Sequence, residues 1–338
     1  MLPDYRKEIL DLPRAVRDTL EQGRANYDAL VRGTRWGELP IYFVAWGRSL
    51  PVAHFAACVF ETLLDWPCLV RTPADFTAYS APGIRPRNIV FLISDGQDSP
   101  EALEAAKATR ARHGIVLALA AQPEEPLAQA ADGALLVRAG EEHGGVRLPV
   151  CQQVAVGLMA LLAARALKRR RPQYDSLEEE YSKLPDHAAW AFSQLTEGVI
   201  ALASELTRAR TLTLLAGGCY FPTAIAAGGL LKRLAGVRVE TLNATEAQPA
   251  RFGRDEIILV LSGSRCRVKK QIHSVVEVAK RAGTNILSLT DANDPEVTRR
   301  SALSLHLPPL HEITGATLAH AVLAWLAYHA ARSAARKA

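Results

Sequence analysis

Cysteine is scarce and unpaired in this chain. Cys58, Cys68, Cys151, Cys219 and Cys266 are an odd number and contain no C-x-x-C pair. That argues against a disulfide frame or a structural zinc site and for reduced thiols in a cytosol. The opening residues, MLPDYRKEILDLP, lack the apolar core of a signal peptide, so a cytoplasmic location is expected. No long block of one charge occurs. The net charge of +5 permits acidic small ligands without arguing for nucleic acid. No G-x-x-x-x-G-K-[ST] is present, which weighs against nucleotide hydrolysis, and no G-x-G-x-x-G, which weighs against nicotinamide chemistry. No metal and no redox cofactor are expected. Two segments, residues 154–167 and 313–331, are apolar enough to be considered as membrane spans. The first is short, and the second carries His320 and His329, so both are expected to be buried helices.

What is present is a regular alternation of short apolar runs and helical patterns. The central example is NIVFLISDGQDSPEA, residues 88–102. Residues 89–93 read as a buried strand. A small polar loop follows, Ser99 suits an N-cap, Pro100 the first helical position and Glu101 the first turn. A strand, a serine loop and a helix start together form an anion cradle, although an ordinary strand–helix turn has the same pattern. Further strands are expected at 41–45, 68–71, 115–120 and 134–138, with helices at 5–22 (interrupted at Pro13), after Ser49, and at 152–168. This alternation predicts an α/β fold, a doubly wound parallel sheet flanked by helices.

The pattern then repeats. Residues 212–216, 257–261 and 286–289 read as strands, and Pro222 follows Gly218 at the spacing by which Pro51 follows Gly47. Two copies of one α/β unit account for this. The composition break around KRRRP and the following glutamates sets the boundaries: a first domain over 1–170, a linker over 171–185 and a second domain over 186–338.

In open parallel sheets, ligands sit beyond the carboxyl ends of the strands. Four loops qualify: 47–49, 94–99, 217–220 and 262–267. The last holds Ser262, Ser264, Arg265 and Arg267 around a glycine, with Lys269 and Lys270 following. Hydroxyls and bidentate guanidiniums suit a phosphate or another acidic group; a basic helix start in solvent is the other reading.

Six segments in order resemble the sugar isomerase (SIS) domain family: KEILDLPRAVRDTL (7–20), WGRS (46–49), SDGQDS (94–99), GEEHGGV (140–146), GGCYFPTA (217–224) and LAWLAYHAA (323–331). The tandem arrangement is similar to the isomerase half of glucosamine-6-phosphate synthases. The resemblance implies two SIS-like domains and a sugar-phosphate ligand, with Gly47, Arg48, Ser49, Ser94, Gln97, Asp98 and Ser99 lining its site. It also implies a homodimer; from the charge and the apolar segments, no nucleic acid or membrane partner is expected.

The departures from the family pattern are chemical. Asp95 and Gly96 replace a polar amide and a serine, and Asp95 and Asp98 would repel a phosphate dianion unless a cation such as Arg48 intervenes. In GLLKRLA, Lys232 is kept, but Arg233 stands where the family has its glutamate base. TEAQPARF (245–252) lacks the ring-opening histidine. Moving a proton between adjacent sugar carbons needs a base, and arginine cannot serve. Glu142, Glu246, His311 and Glu312 are the substitutes on offer, with capping or surface roles as their other reading. The expected function is a phosphosugar isomerase or an amino-sugar-phosphate deaminase or deglycase. The rival is a sugar-phosphate sensor without turnover. The family pattern begins at Lys7, so no preceding DNA-binding domain is expected.

Overall fold

The computed structural model describes residues 2–37, 39–97, 99–140, 145–169, 173–208, 211–247, 252–254 and 256–335. In chain order the elements begin with α1 (Leu2–Gly33), β1 (Ile41–Ala45), α2 (Leu50–Leu64), β2 (Cys68–Arg71) and a single turn α3 (Pro73–Asp75). There follow β3 (Ile89–Ile93), α4 (Pro100–Arg110), β4 (Ile115–Ala120), α5 (Pro126–Ala130), β5 (Gly133–Leu136), α6 (Arg147–Ala166) and α7 (Gln173–Gln194). The rest comprises α8 (Thr196–Leu206), β6 (Leu212–Ala216), α9 (Tyr220–Ala235), β7 (Val239–Asn243), β8 (Ile257–Leu261), α10 (Lys269–Arg281), β9 (Asn285–Asp291), α11 (Pro295–Thr298), β10 (Leu303–Leu307) and α12 (Glu312–Ala335).

The chain forms two compact units, Arg14–Ser182 and Met1–Pro13 with Lys183–Ala338. Each holds a five-stranded, all-parallel sheet, ordered β2-β1-β3-β4-β5 in the first and β7-β6-β8-β9-β10 in the second. The two orders are the same topology, as the repeated spacing predicts. In each, the direction of winding reverses between the first and third strands, at β1/β3 and at β6/β8, which opens a crevice at the strands' carboxyl ends.

The first sheet is buried on both faces, which is why β3 is a continuous apolar run. On one face Phe43, Phe60 and Phe91 interlock, with Phe43 and Phe91 stacked at 5.1 Å between ring centroids. On the other, Val44, Val90, Leu92 and Val116 meet Ala102, Ala105 and Ala106, whose small side chains let α4 lie close. Truncating Phe91 to alanine would cost about 3–5 kcal/mol.

Several boundaries differ from the sequence reading. The helix expected to break at Pro13 runs unbroken from Leu2 to Gly33. Proline removes only one backbone donor, and buried Ile9, Leu12 and Val16 hold the stripe on either side. α6 begins at Arg147 rather than Gln152, because Pro149 is tolerated in a first turn. The stretch read as a linker is helical from Gln173 onward. α6 is long and apolar enough to cross a membrane, yet 89% of that window is buried inside the protein, as in a core helix. α12 is buried likewise, from Glu312 through Ala331.

Candidate functional site

In the first unit, β1 ends at Ala45 and the chain turns through Gly47, whose φ is +54°. A side chain there would also strike the carboxylate of Asp95. Both facts require glycine at this position. The turn drops Ser49 into the interior, fully buried. Its Oγ lies 2.8 Å from the Ser94 carbonyl and 3.1 Å from Gln152 Oε1, and Gln152 Nε2 donates to the same carbonyl at 2.6 Å. The single hydroxyl proton of Ser49 is therefore used within the protein, tying the β1 loop to the β3 loop and α6. The Ser49 hydroxyl, expected to donate to a ligand, faces these interior acceptors here.

The β3 loop presents the polar surface. Ser94 Oγ accepts the Gly96 N–H at 3.1 Å, and Asp95 Oδ1 accepts the Gln97 N–H at 3.1 Å. Gly96 has φ +84°, which keeps the loop tight. Arg48 Nη2 donates to the Asp95 carbonyl at 2.9 Å, and its guanidinium fills the space beside Gly145, whose φ is +71°. So Arg48 supports this loop from behind its backbone. Ser99 caps α4, its Oγ accepting the Ala102 N–H at 3.2 Å and donating to Glu101 Oε2 at 3.1 Å. Ser94, Gln97 and Ser99 line one cavity with Trp46 and Leu127. Its volume, about 10 Å³, admits one water-sized group, so only the small end of a ligand enters it. Asp98 and Glu142 lie outside the described residues.

The second unit repeats the turn: Gly218 has φ +55°. Where the first unit places Ser49, this one places Tyr220, buried, with its hydroxyl beside Gly263 and Gly315. Burial and the nearby Cys266, Asp291 and Glu312 push that phenol well above its ordinary range. Ser262 and Ser264, expected to hold an anion, face carboxylates here. Ser262 Oγ donates to Asp294 Oδ2 at 2.9 Å, and Ser264 donates to Asp291 Oδ2 through its N–H at 2.6 Å and its Oγ at 2.9 Å. Both carboxylates are buried, so a phosphate at these hydroxyls would meet like charge at close range. Asp294 is held in turn by His273 Nε2 at 2.8 Å, and Lys269 Nζ donates to the Ser264 carbonyl. Arg265 stays at the surface.

Glu312 is brought under this loop, 2% exposed, at the β6/β8 crevice. Its Oε2 accepts the Arg267 N–H at 3.1 Å, and its Oε1 lies 3.5 Å from Arg267 Nε. Burial raises its carboxyl above the usual range, opposed by Arg267 and Cys266. Beside it, burial and then Arg267 and Arg265 lower His311 to about 4, so that imidazole is neutral at neutral pH. Glu246 is exposed after β7. Gln152, Asp291 and Asp294 escape the sequence reading. The one available signal was the polar pair Gln152-Gln153 inside an apolar helix, both fully buried. All five cysteines are free thiols, and no cluster of three metal-ligating side chains occurs among the described residues.

Residues 38–166 match the SIS domain family. The chain is 26% identical over 340 residues to a glutamine–fructose-6-phosphate aminotransferase (isomerizing) of Thermococcus kodakarensis, covering 96% of this chain and 54% of that protein. The chain thus spans about half the length of the curated relatives it matches. Among solved structures it resembles the C-terminal domain of glucosamine-fructose-6-phosphate aminotransferase from Francisella tularensis, with a TM-score of 0.86 at 19% identity, covering 98% and 96% of the two chains. A tagatose-6-phosphate ketose/aldose isomerase from Escherichia coli aligns with a TM-score of 0.75 at 15% identity, covering 97% and 92%. Glucosamine-6-phosphate deaminase from Thermotoga maritima aligns with 0.71 at 15%, covering 99% and 95%. At these identities the structural likenesses establish the fold.

Proposed function

We propose, for a chain that belongs to the SIS domain family and is homologous to the isomerase half of glutamine–fructose-6-phosphate aminotransferases, that it binds a sugar phosphate or amino-sugar phosphate at the β1/β3 crevice. One observation carries this reading. Ser94 and Ser99 share a cavity at the topological switch point, and no acceptor among the described residues takes the proton of Ser94. The phosphate is placed at the mouth of this cavity, with one oxygen reaching in towards Ser94, Gln97 and Ser99 and the carbohydrate extending outward. Gly47, Arg48 and Ser49 shape the crevice rather than touch the ligand. Carboxylates occur at both places, Asp95 and Glu125 in the first unit and Asp291 and Asp294 in the second; the first unit is favoured because Ser262 and Ser264 give their protons to those carboxylates whereas Ser94 gives its proton to no described acceptor.

The reaction proposed is isomerisation between aldose and ketose phosphates, or deamination or deglycation of an amino-sugar phosphate. Within the second unit's own crevice, Glu312 is a buried carboxylate whose burial raises its affinity for a proton, the property a general acid or base needs. A second reading, a sensor without turnover, is favoured by a specific observation: Arg233, standing where the family carries its base, is exposed in the last turn of α9. A cationic residue there complements the helix dipole and has no proton to exchange. The protein is proposed to be cytoplasmic and homodimeric, consistent with its free thiols; light scattering reads the oligomer directly.

The deciding experiment is a panel of hexose and amino-hexose 6-phosphates, followed by thermal shift and by product formation. Saturable shifts with turnover support the enzyme, and saturable shifts without turnover the sensor. No shift with any member removes sugar-phosphate binding.

A further inference from the structure

A second pocket lies at the outer edge of the first sheet. It has a volume of about 440 Å³ and opens to solvent, within the roughly 300–1,000 Å³ of small-molecule sites. β2 is the edge strand, and its last residue, Arg71, lies beside Val44 of β1. Thr72 then starts α3, its Oγ1 donating to Asp75 Oδ2 at 2.8 Å. The following turn is wide: the Ala81 N–H reaches back five residues to the Phe76 carbonyl. Such π-turns are rare and concentrate at functional sites. This one leaves Tyr79 81% exposed on the pocket rim, the most exposed of the large apolar side chains noted. Leu50 and His54, one turn apart on α2, form the facing wall.

The lining has two complementary parts. Arg71 makes one side-chain hydrogen bond, from Nη1 to the Val70 carbonyl at 2.8 Å, and no carboxylate among the described residues pairs with it. Asp75 also lines the pocket, its carboxylate held by the Thr72 hydroxyl, so the anion has to sit on the Arg71 side away from it. A half-buried guanidinium with most of its N–H groups unused is a bidentate anion site. Tyr79 adds an uncovered aromatic face, which stacks on planar groups. A simple anion would leave most of the volume empty.

We propose that this pocket binds a small anion bearing a planar ring, of the nucleoside monophosphate class, with the anion on Arg71 and the ring on Tyr79. The proposal goes beyond the sugar-phosphate reading and does not rest on it. None of the residues lining the serine cavity lines this pocket.

Calorimetry on the full chain tests it with three probes: adenosine 5′-monophosphate, ribose 5-phosphate (anion without ring) and adenosine (ring without anion). The nucleotide is expected to bind saturably and about tenfold or more tighter than either fragment. Arg71→Met and Tyr79→Ala should each weaken it about fivefold or more, at an unchanged thermal midpoint. Absence of saturable nucleotide binding overturns the proposal, as does equal affinity for ribose 5-phosphate, or nucleotide binding that survives both substitutions. Loss of the fructose 6-phosphate response in Arg71→Met would merge this pocket with the serine crevice and also overturn it. If fructose 6-phosphate produces no response in the unaltered chain, the nucleotide measurements still decide this proposal alone.

Discussion

Gly47 and Asp95 are in contact across the β1/β3 crevice, the glycine's missing side chain making room for the aspartate's carboxylate. Asp95 is itself 7% exposed, and its other oxygen accepts the Gln97 N–H. A fixed negative charge thus sits within the loop proposed to take a phosphate. Arg48 touches the Asp95 carbonyl rather than its carboxylate, so it offsets that charge incompletely. Asp95→Asn keeps the shape and the acceptor for Gln97 while removing the charge. Sugar-phosphate affinity should rise about tenfold, measured by calorimetry, because like charges at this range repel by about 1 kcal/mol or more even under strong screening. An unchanged or weaker affinity would place the phosphate elsewhere.

Ser94 and Ser99 separate into different phenotypes. Ser94→Ala removes the hydroxyl proton facing the cavity and should weaken phosphosugar binding by about 1–3 kcal/mol. Ser99→Ala removes a ligand contact and also the α4 cap, so it should lower stability by about 1 kcal/mol as well. Denaturant titration beside calorimetry distinguishes the two. Full affinity in Ser94→Ala would exclude that hydroxyl from the site.

The central strands are legible because strands buried on both faces are nearly continuous apolar runs: β1, β3, β6 and β8 match the sequence reading end to end. Edge strands β7 and β10 escape it, since VETLN and LSLHL are only partly buried and mix polar with apolar residues. The glycine turns at 47 and 218 are visible as a repeat. The direction in which a serine points is not. Ser49, Ser262 and Ser264 sit in loops with a binding pattern, yet their protons go to Ser94 or Gln152, Asp294 and Asp291. Those partners lie 27 to 103 residues away, and nothing local in the sequence announces them.

Glu312→Gln tests the catalytic reading. Glutamine still accepts the Arg267 N–H but cannot take a proton from carbon. If Glu312 is the base, turnover falls by about 10²-fold or more, as for loss of a positioned general base, while phosphosugar affinity stays within about twofold, or about 0.4 kcal/mol. Because burial disfavours the carboxylate, the variant should be at least as stable as the original chain. Retained turnover would move the base elsewhere.

Acid sensitivity follows from three histidines in the second unit. Burial is the leading cause at His311, His320 and His329, each lowered to about 4 from 6.5; nearby arginines add to it at His311 and His329. Between those values the unfolded chain binds protons that the folded chain refuses. Stability therefore rises with pH across this window and is lost as pH falls from about 6.5 towards 4. At His320, within α12, burial is the cause of the lowering. His320→Phe should flatten the dependence of the thermal midpoint on pH between 6.5 and 4, whatever it does to the midpoint at pH 8. A slope identical to that of the unaltered chain would show that His320 titrates normally in the folded protein and that α12 is open to water there.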